Sequence, residues 1–253
     1  MTILGICFDS TSQGVMHHHD AGLVVLSFVI ALVASFCSLD MAERMRASEG
    51  RTRLFWLILA GITLGGGIWS MHFIAMTAFH VPIEQGYDAG LTLLSGVIAV
   101  LAVIAGLAAL GRKPSWARLI GAGIFVGMGV VIMHYMGMSA LQVTGTVAYR
   151  PDLFSLSVVI ALTAATVALW LAANLSKLWQ RVAAAVVMAV AICGMHYTGM
   201  TGTVLTAAPE LPNTDMLVSK GMLAAIVTLA TGCFIAMALI LAFLDRRLEA
   251  RSV

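Results

Sequence analysis

The chain has 253 residues, 60% of them hydrophobic and only 10% charged, with a mean hydropathy of +0.99. A soluble domain carries about 25% charged residues, so this composition excludes an ordinary water-exposed globule and points to a helical membrane protein with the lipid bilayer as its partner. A net charge of +2, with no basic tract interleaved with aromatics, excludes a nucleic-acid partner.

Seven apolar segments of spanning length succeed one another, approximately Ala21–Met41, Leu54–Met76, Ala89–Leu110, Ala117–Ala140, Leu153–Ala173, Val182–Val204 and Gly221–Phe243. Each has about 20 residues or slightly more, enough for a helix to cross a ~30 Å hydrocarbon core. Short polar turns separate them, so neighbouring helices run antiparallel. The predicted fold is all-α: a polytopic, multi-pass bundle of seven transmembrane helices. It forms one domain over 21–244, between an outer N-terminal segment 1–20 and a cytoplasmic tail 245–253. Residues Met1 to Met16 lack the basic start and long apolar stretch of a cleaved signal peptide. The cysteines Cys7, Cys37, Cys193 and Cys233 show no CxxC spacing, and three of them lie in apolar runs, where a thiol behaves as a small hydrophobe.

Basic residues predict the orientation. With the N-terminus outside, Arg44, Arg46, Arg51, Arg53, Arg112, Lys113, Arg118, Lys177, Arg181, Arg246, Arg247 and Arg251 all fall on the cytoplasmic side, twelve of the fourteen Lys and Arg. Only Arg150 and Lys220 fall outside, with Asp9, Asp20, Glu84, Asp88, Asp152, Glu210 and Asp215. The positive-inside bias therefore puts the N-terminus outside and the C-terminus in the cytoplasm of a bacterial inner membrane.

One stretch recurs three times at a spacing of 62 residues: Met71-His72-Phe73-Ile74-Ala75-Met76, Met133-His134-Tyr135-Met136-Gly137-Met138 and Met195-His196-Tyr197-Thr198-Gly199-Met200. A hydroxyl follows each copy, at Thr77, Ser139 and Thr201. A fixed period marks one supersecondary element repeated, here a helical hairpin, and places all three copies at one depth near the outer face. Small residues keep the same period: Gly61, Gly123 and Ala185; Gly65, Gly127 and Ala189; Gly67, Gly129 and Ala191. Such positions let membrane helices approach closely. The expectation is that helices 2, 4 and 6 pack around a pseudo-threefold axis, with helix 1 as the extra element. Tyr87 and Tyr149 also keep the period, whereas the third copy has Leu211.

Residues four apart in a helix lie only about 40° apart around its axis. His72 therefore faces the same way as Met76, His134 as Met138, and His196 as Met200. The leading Met71, Met133 and Met195 point elsewhere, toward a second ion or a wall. A single Met-His-aromatic run is ordinarily packing; three at one depth, each burying a costly imidazole, argue for a shared site. Three imidazoles with thioethers and no carboxylate form a soft, neutral donor set. That favours copper, one ion or two. Zinc on three His and water would leave the methionines unexplained, and haem finds no CxxCH and no axial pair at two depths. Tyr135, Tyr197 and His19 are candidates for the surrounding layer; His17 and His18 belong to a solvated loop.

The three motifs, with Trp69-Ser70 ahead of the first and Gly86-Tyr87-Asp88 after it, resemble the bacterial MHYT family of integral-membrane sensor domains over nearly the whole chain. The resemblance implies copper near the outer face and a response to a diatomic gas (oxygen, carbon monoxide or nitric oxide) or to redox state. It carries the roles to Met71, His72, Met133, His134, Tyr135, Met195, His196 and Tyr197; Phe73 departs by lacking a phenol. Family members often carry cytoplasmic cyclic di-GMP output domains. This chain stops nine residues after Leu244, so the expectation is a separate cytoplasmic signalling partner. A membrane copper oxidoreductase and a copper transfer protein stand as alternatives; no general acid or base accompanies the motif.

Overall fold

The computed structural model describes residues 2–3, 6–9, 18–82, 85–111, 114–207 and 217–249, with only the backbone at 2–3, 6, 237–239 and 241–249. His17, Glu84, Arg112, Lys113, Glu210, Leu211, Asp215 and Arg251, and the side chains of Arg246 and Arg247, lie outside that description.

Seven helices carry the fold: α1 (Ala21–Ala47), α2 (Gly50–Ala78), α3 (Ala89–Leu110), α4 (Trp116–Ala140), α5 (Pro151–Asn174), α6 (Leu178–Thr201) and α7 (Lys220–Glu249). The first six are long and apolar enough to cross a membrane, and α7 is apolar over Lys220–Ala236. Their ends follow local chemistry. Asp20, Asp88 and Ser115 accept hydrogen bonds from the backbone N–H groups of Leu23, Leu91 and Arg118 and cap α1, α3 and α4. Pro151 opens α5, where a missing N–H costs nothing.

Short strands add to the all-α expectation: β1 (Thr2–Ile3), β2 (Ile6–Cys7), β3 (His18–His19), β4 (Phe79–His80), β5 (Gln85–Asp88), β6 (Leu141–Val143), β7 (Gly145–Tyr149), β8 (Thr203–Ala207) and β9 (Leu217–Val218). Three antiparallel ribbons repeat the same plan. The strand entering α1 pairs with the one leaving α2 (His19 opposite Phe79), the strand entering α3 with the one leaving α4 (Tyr87 opposite Leu141), and the strand entering α5 with the one leaving α6 (Tyr149 opposite Thr203). β9 joins the free edge of β5. The repeated unit is thus strand, odd helix, even helix, strand. Segments this short carry no periodic signal, so the helical pattern could not announce them.

The ribbons set the ring. Its order is α1, α2, α3, α4, α5, α6 and back to α1, while α7 lies outside against α2 and α1. The extra element is therefore α7, a correction to the expectation that α1 would be: α1 occupies the place between α6 and α2 that α3 and α5 occupy between their neighbours. The small-residue stripes are also redirected. Gly61 and Gly65 lie against Ile104 and Val100 of α3, and Gly123 and Gly127 against Thr166 and Leu162 of α5, so close that a Cβ would overlap them. Gly67 and Gly129 meet Ala34 of α1 and Ala102 of α3. α2 and α4 spend these glycines on their odd neighbours, and α2, α4 and α6 touch one another only lightly. What they share is the axis.

Candidate metal centre

The three motif histidines meet on that axis. His72 Nδ1 lies 3.0 Å from His196 Nδ1 and 3.2 Å from His134 Nδ1, and the ring centroids are 4.9–5.2 Å apart, each ring nearly perpendicular to the other two. All three side chains are buried. A trio of ligand atoms within 4.8 Å of one another is formed by these residues alone among the described ones.

The arrangement is cyclic. His72 Nε2 turns toward Gly137 of the next repeat and His134 Nε2 toward Gly199, so near that a Cβ at either glycine would overlap the ring. Ala75 is the corresponding small residue of the first copy. In the second and third copies the glycine three after the histidine thus makes room for the histidine of the repeat before. None of the three Nε2 atoms has a hydrogen-bond partner, although a buried polar atom left unsatisfied costs about 1–3 kcal/mol.

The nitrogen triangle fits a metal ion. In a neutral imidazole each nitrogen either donates or accepts, never both. His72 Nδ1 carries either one proton or one lone pair, so it cannot make a full hydrogen bond to both His134 and His196 at once. A cation accepts all three lone pairs at once. At metal–nitrogen distances of about 2.0–2.1 Å, three- or four-coordinate geometry spaces the nitrogens ~3.3–3.6 Å apart, slightly wider than the 3.0 and 3.2 Å found here.

Met76, Met138 and Met200 are fully buried one turn further along the same helices, and Met71, Met133 and Met195 are buried beside the histidines. Thr77, Ser139 and Thr201 donate to carbonyls of their own helices, at Ile74, Tyr135 and Tyr197, and so serve the backbone.

The motif aromatics buttress the rings. Phe73, Tyr135 and Tyr197 set their rings edge-on to the histidine just before them, at 4.7, 4.7 and 4.9 Å. The phenols reach outward. Ser157 Oγ donates to the Phe154 carbonyl and so accepts from Tyr135 O–H at 2.7 Å; Ser27 Oγ donates to Val24 O and accepts from Tyr197 O–H at 3.0 Å. The serine at the corresponding place of α3, Ser95, donates to Thr92 O, and the first copy has Phe73 with no phenol to offer it. A second aromatic layer repeats the plan: Tyr87 against Phe73, Tyr149 against Tyr135, and His19 against Tyr197. His19, preceding α1, thus fills the third place of the Tyr87 and Tyr149 series, which the periodic count had assigned to Leu211. Burial pushes the Tyr87 and Tyr149 phenols above their usual range. His18 lies further out, its ring stacked on that of His80 at 5.0 Å.

Toward the opposite end of the bundle the axis turns apolar. Ile68, Val130 and Ile192 form the next layer, and Leu64, Val126 and Met188 the one after, around a cavity of about 50 Å³. At that far end Asp40 of α1 pairs with Arg44 at 3.0 Å and with Arg181 of α6 at 3.5 Å, Arg181 also pairs with Glu43, and Arg46 donates to the Leu175 carbonyl. The positive-inside count put Arg44, Arg46 and Arg181 on one side of the membrane but held no signal that α1 and α6 would be partners.

Six helices of spanning length around a buried histidine trio define a multi-pass membrane protein with a polar centre on its axis. Residues 65–123, 127–185 and 190–249 match the MHYT family, described as a bacterial signalling protein N terminal repeat, and the chain belongs to that family. It is 42% identical over 237 residues to the bifunctional diguanylate cyclase/cyclic di-GMP phosphodiesterase MucR of Pseudomonas aeruginosa, covering 91% of this chain and 34% of that one. It is 39% identical over 202 residues to the cyclic di-GMP phosphodiesterase NbdA of the same organism, covering 77% and 26%. Identity to the signaling protein YkoW of Bacillus subtilis is 29% over 237 residues, covering 90% and 30%. The chain thus spans about a third or less of the length of these curated relatives. No solved structure matches it.

Proposed function

We propose that this chain is a membrane sensor module that binds copper at His72, His134 and His196 and responds to a diatomic gas or to redox state. The observation that carries this is the convergence of three buried Nδ1 atoms, with His72 Nδ1 at 3.0 and 3.2 Å from the other two, where its single proton or lone pair cannot serve both neighbours. Met76, Met138 and Met200 are the next ligands, on the same helix faces. Met71, Met133 and Met195 line the walls or serve a second ion. Their sulfurs, with neutral imidazoles and no carboxylate in the trio, favour copper over zinc. Copper in such a set supplies reversible one-electron chemistry and a seat for a diatomic ligand. The chain's own part is to orient: Phe73, Tyr135 and Tyr197 brace the rings, Ser157 and Ser27 hold the phenols, and the ribbons cover the motif end. The activities for which MucR and NbdA are named support a signalling setting. We take the portion they share with this chain as an input unit that acts on a cytoplasmic signalling partner.

Metal analysis of the purified protein tests the site. Wild type should retain copper; His72→Ala, His134→Ala and His196→Ala should each lose most of it. His80→Ala should not, since its ring stacks on His18 away from the axis. Equal copper in all four variants would leave the trio as packing.

The proposed orientation puts the motif end outside a bacterial inner membrane, on the strength of the basic residues. A cysteine replacing exposed Thr146, in β7, should then react with an impermeant reagent on whole cells, and one replacing Ser48 only after the membrane is opened. The reverse pattern would turn the site to the cytoplasm. Copper transfer fits less well, because the two layers of Ile68, Val130, Ile192 and Leu64, Val126, Met188 offer an ion only one thioether.

A further inference from the structure

The cavity below the histidine trio has a side entrance, and its cause is a departure from the repeat where α5 meets α6. In the first hairpin Gly67 of α2 lies against Ala34 of α1, and in the second Gly129 of α4 lies against Ala102 of α3. In both, a Cβ on the glycine would overlap the alanine methyl, so the missing side chain sets how close the two helices come. Counting on by 62 residues, the corresponding pair of the third hairpin is Ala164 of α5 and Ala191 of α6. Both carry a methyl. The two helices cannot close as the others do, and α5–α6 is the loosest packed of the three hairpins.

The space so left is the cavity. Ala161, Ala164, Ala165 and Ala168 of α5 and Ala191 and Ile192 of α6 form one side of it, and Leu64, Ile68, Val126 and Val130 complete the far wall. Ala164, Ala168, Ala191 and Ile192 are only half-buried, so the space reaches the lipid-facing surface between α5 and α6. Inward it ends at Met195, next to His196. Its Ile68, Val130 and Ile192 layer stands four residues, about 6 Å along a helix axis, from the trio.

From this we infer that the α5–α6 seam admits small, uncharged, apolar molecules of diatomic size from the lipid phase and holds them directly beneath the histidines. Size and lining carry the argument. The cavity measures about 50 Å³, and about 10–15 Å³ on that measure holds one water. A water needs two to four polar partners, and these walls of Ala, Val, Leu, Ile and Met side chains provide none. Apolar cavities of this kind stay dry and take apolar guests. Oxygen, nitric oxide and carbon monoxide are also more soluble in hydrocarbon than in water, so a lipid-facing door meets them where they are concentrated. The inference deepens the sensor reading, but the cavity and its door exist whether or not a metal sits above.

Two measurements separate the cavity from the metal. Xenon is a spherical apolar probe of suitable size, and binding to copper-free protein can be followed by xenon NMR under pressure. Wild type should show a saturable bound population, and Ala191→Phe, which fills the door, should lose it. With copper loaded, carbon monoxide association by flow-flash should slow at least tenfold in Ala191→Phe at unchanged copper content. Val130→Phe fills the same space from α4 and serves if Ala191→Phe misfolds. If xenon ignores both substitutions and carbon monoxide associates at the wild-type rate, the inference falls. If xenon behaves as expected and copper is absent, the cavity stands and the metal reading falls.

Discussion

The two ends of the bundle are built on opposite plans. At the motif end every feature comes in threes: histidine, buttressing aromatic, serine on the next helix, β ribbon. At the other end the polar chemistry is unique. Asp40, Glu43, Arg44 and Arg181 gather at the one seam where α6 meets α1, and no second copy occurs among the described residues. The repeat therefore builds the centre, while a local charge cluster fastens the ring where the repeat runs out. The α6–α1 seam needs such a fastening because Ala185 and Ala189 replace the glycines that seat α2 on α3 and α4 on α5.

If that division is right, damage at one end should spare the other. The largest effect is expected from Arg181→Ala. It strips a nearly buried partner from Asp40 and from Glu43. Breaking a buried ion pair from one side costs about 3–5 kcal/mol, so the thermal unfolding midpoint in detergent should drop by several degrees. Copper content of the folded fraction should stay near wild type. Equal loss of both would mean that the ends are coupled more tightly than their construction suggests.

Gly137→Ala should do the reverse. Its methyl would overlap His72 Nε2 and push one ring off the axis. Copper affinity should weaken at least tenfold by competition with a chelator, with a stability cost of about 1–3 kcal/mol from overpacking. Ala75→Gly only removes a methyl at the corresponding place and should bind copper normally.

The smallest effect is expected from Tyr135→Phe, which deletes the donor to Ser157 but keeps the ring on His134. A net loss of about 0.5–1.5 kcal/mol is anticipated. Copper binding should survive, because the first repeat already manages with Phe73. Loss of copper in this variant would give the phenol a direct part in the site.

The histidine trio was legible in the sequence because a 62-residue period and the hydropathy pattern together put three histidines at one depth. Helix centres were legible for the same reason. Helix ends were less so: α2 begins at Gly50, four residues before the apolar segment, since Arg51 and Arg53 belong to its first turn but not to its hydrocarbon span. The place of α1 was hidden. It carries no motif, and its capping Asp20 precedes Asp88 by 68 residues, not 62, so counting could not align it with α3. His19 was hidden with it, being a histidine where the other two repeats have tyrosine. The partner of Arg181 depends wholly on that closure.

The closing of the ring by α1 also has a consequence for how the protein is made. A ribosome delivers helices in order, the N-terminal ones first. Here α1 is delivered first, yet the neighbour on its far side, α6, is delivered sixth. Until then α1 waits with one flank bare, Asp40 and Glu43 lack Arg181, and Tyr197 has not met Ser27. His196 arrives on the same late helix. The chain therefore cannot complete its histidine centre before α6 arrives: the last ligand and the last seam come together, and a fragment truncated before α6 possesses neither.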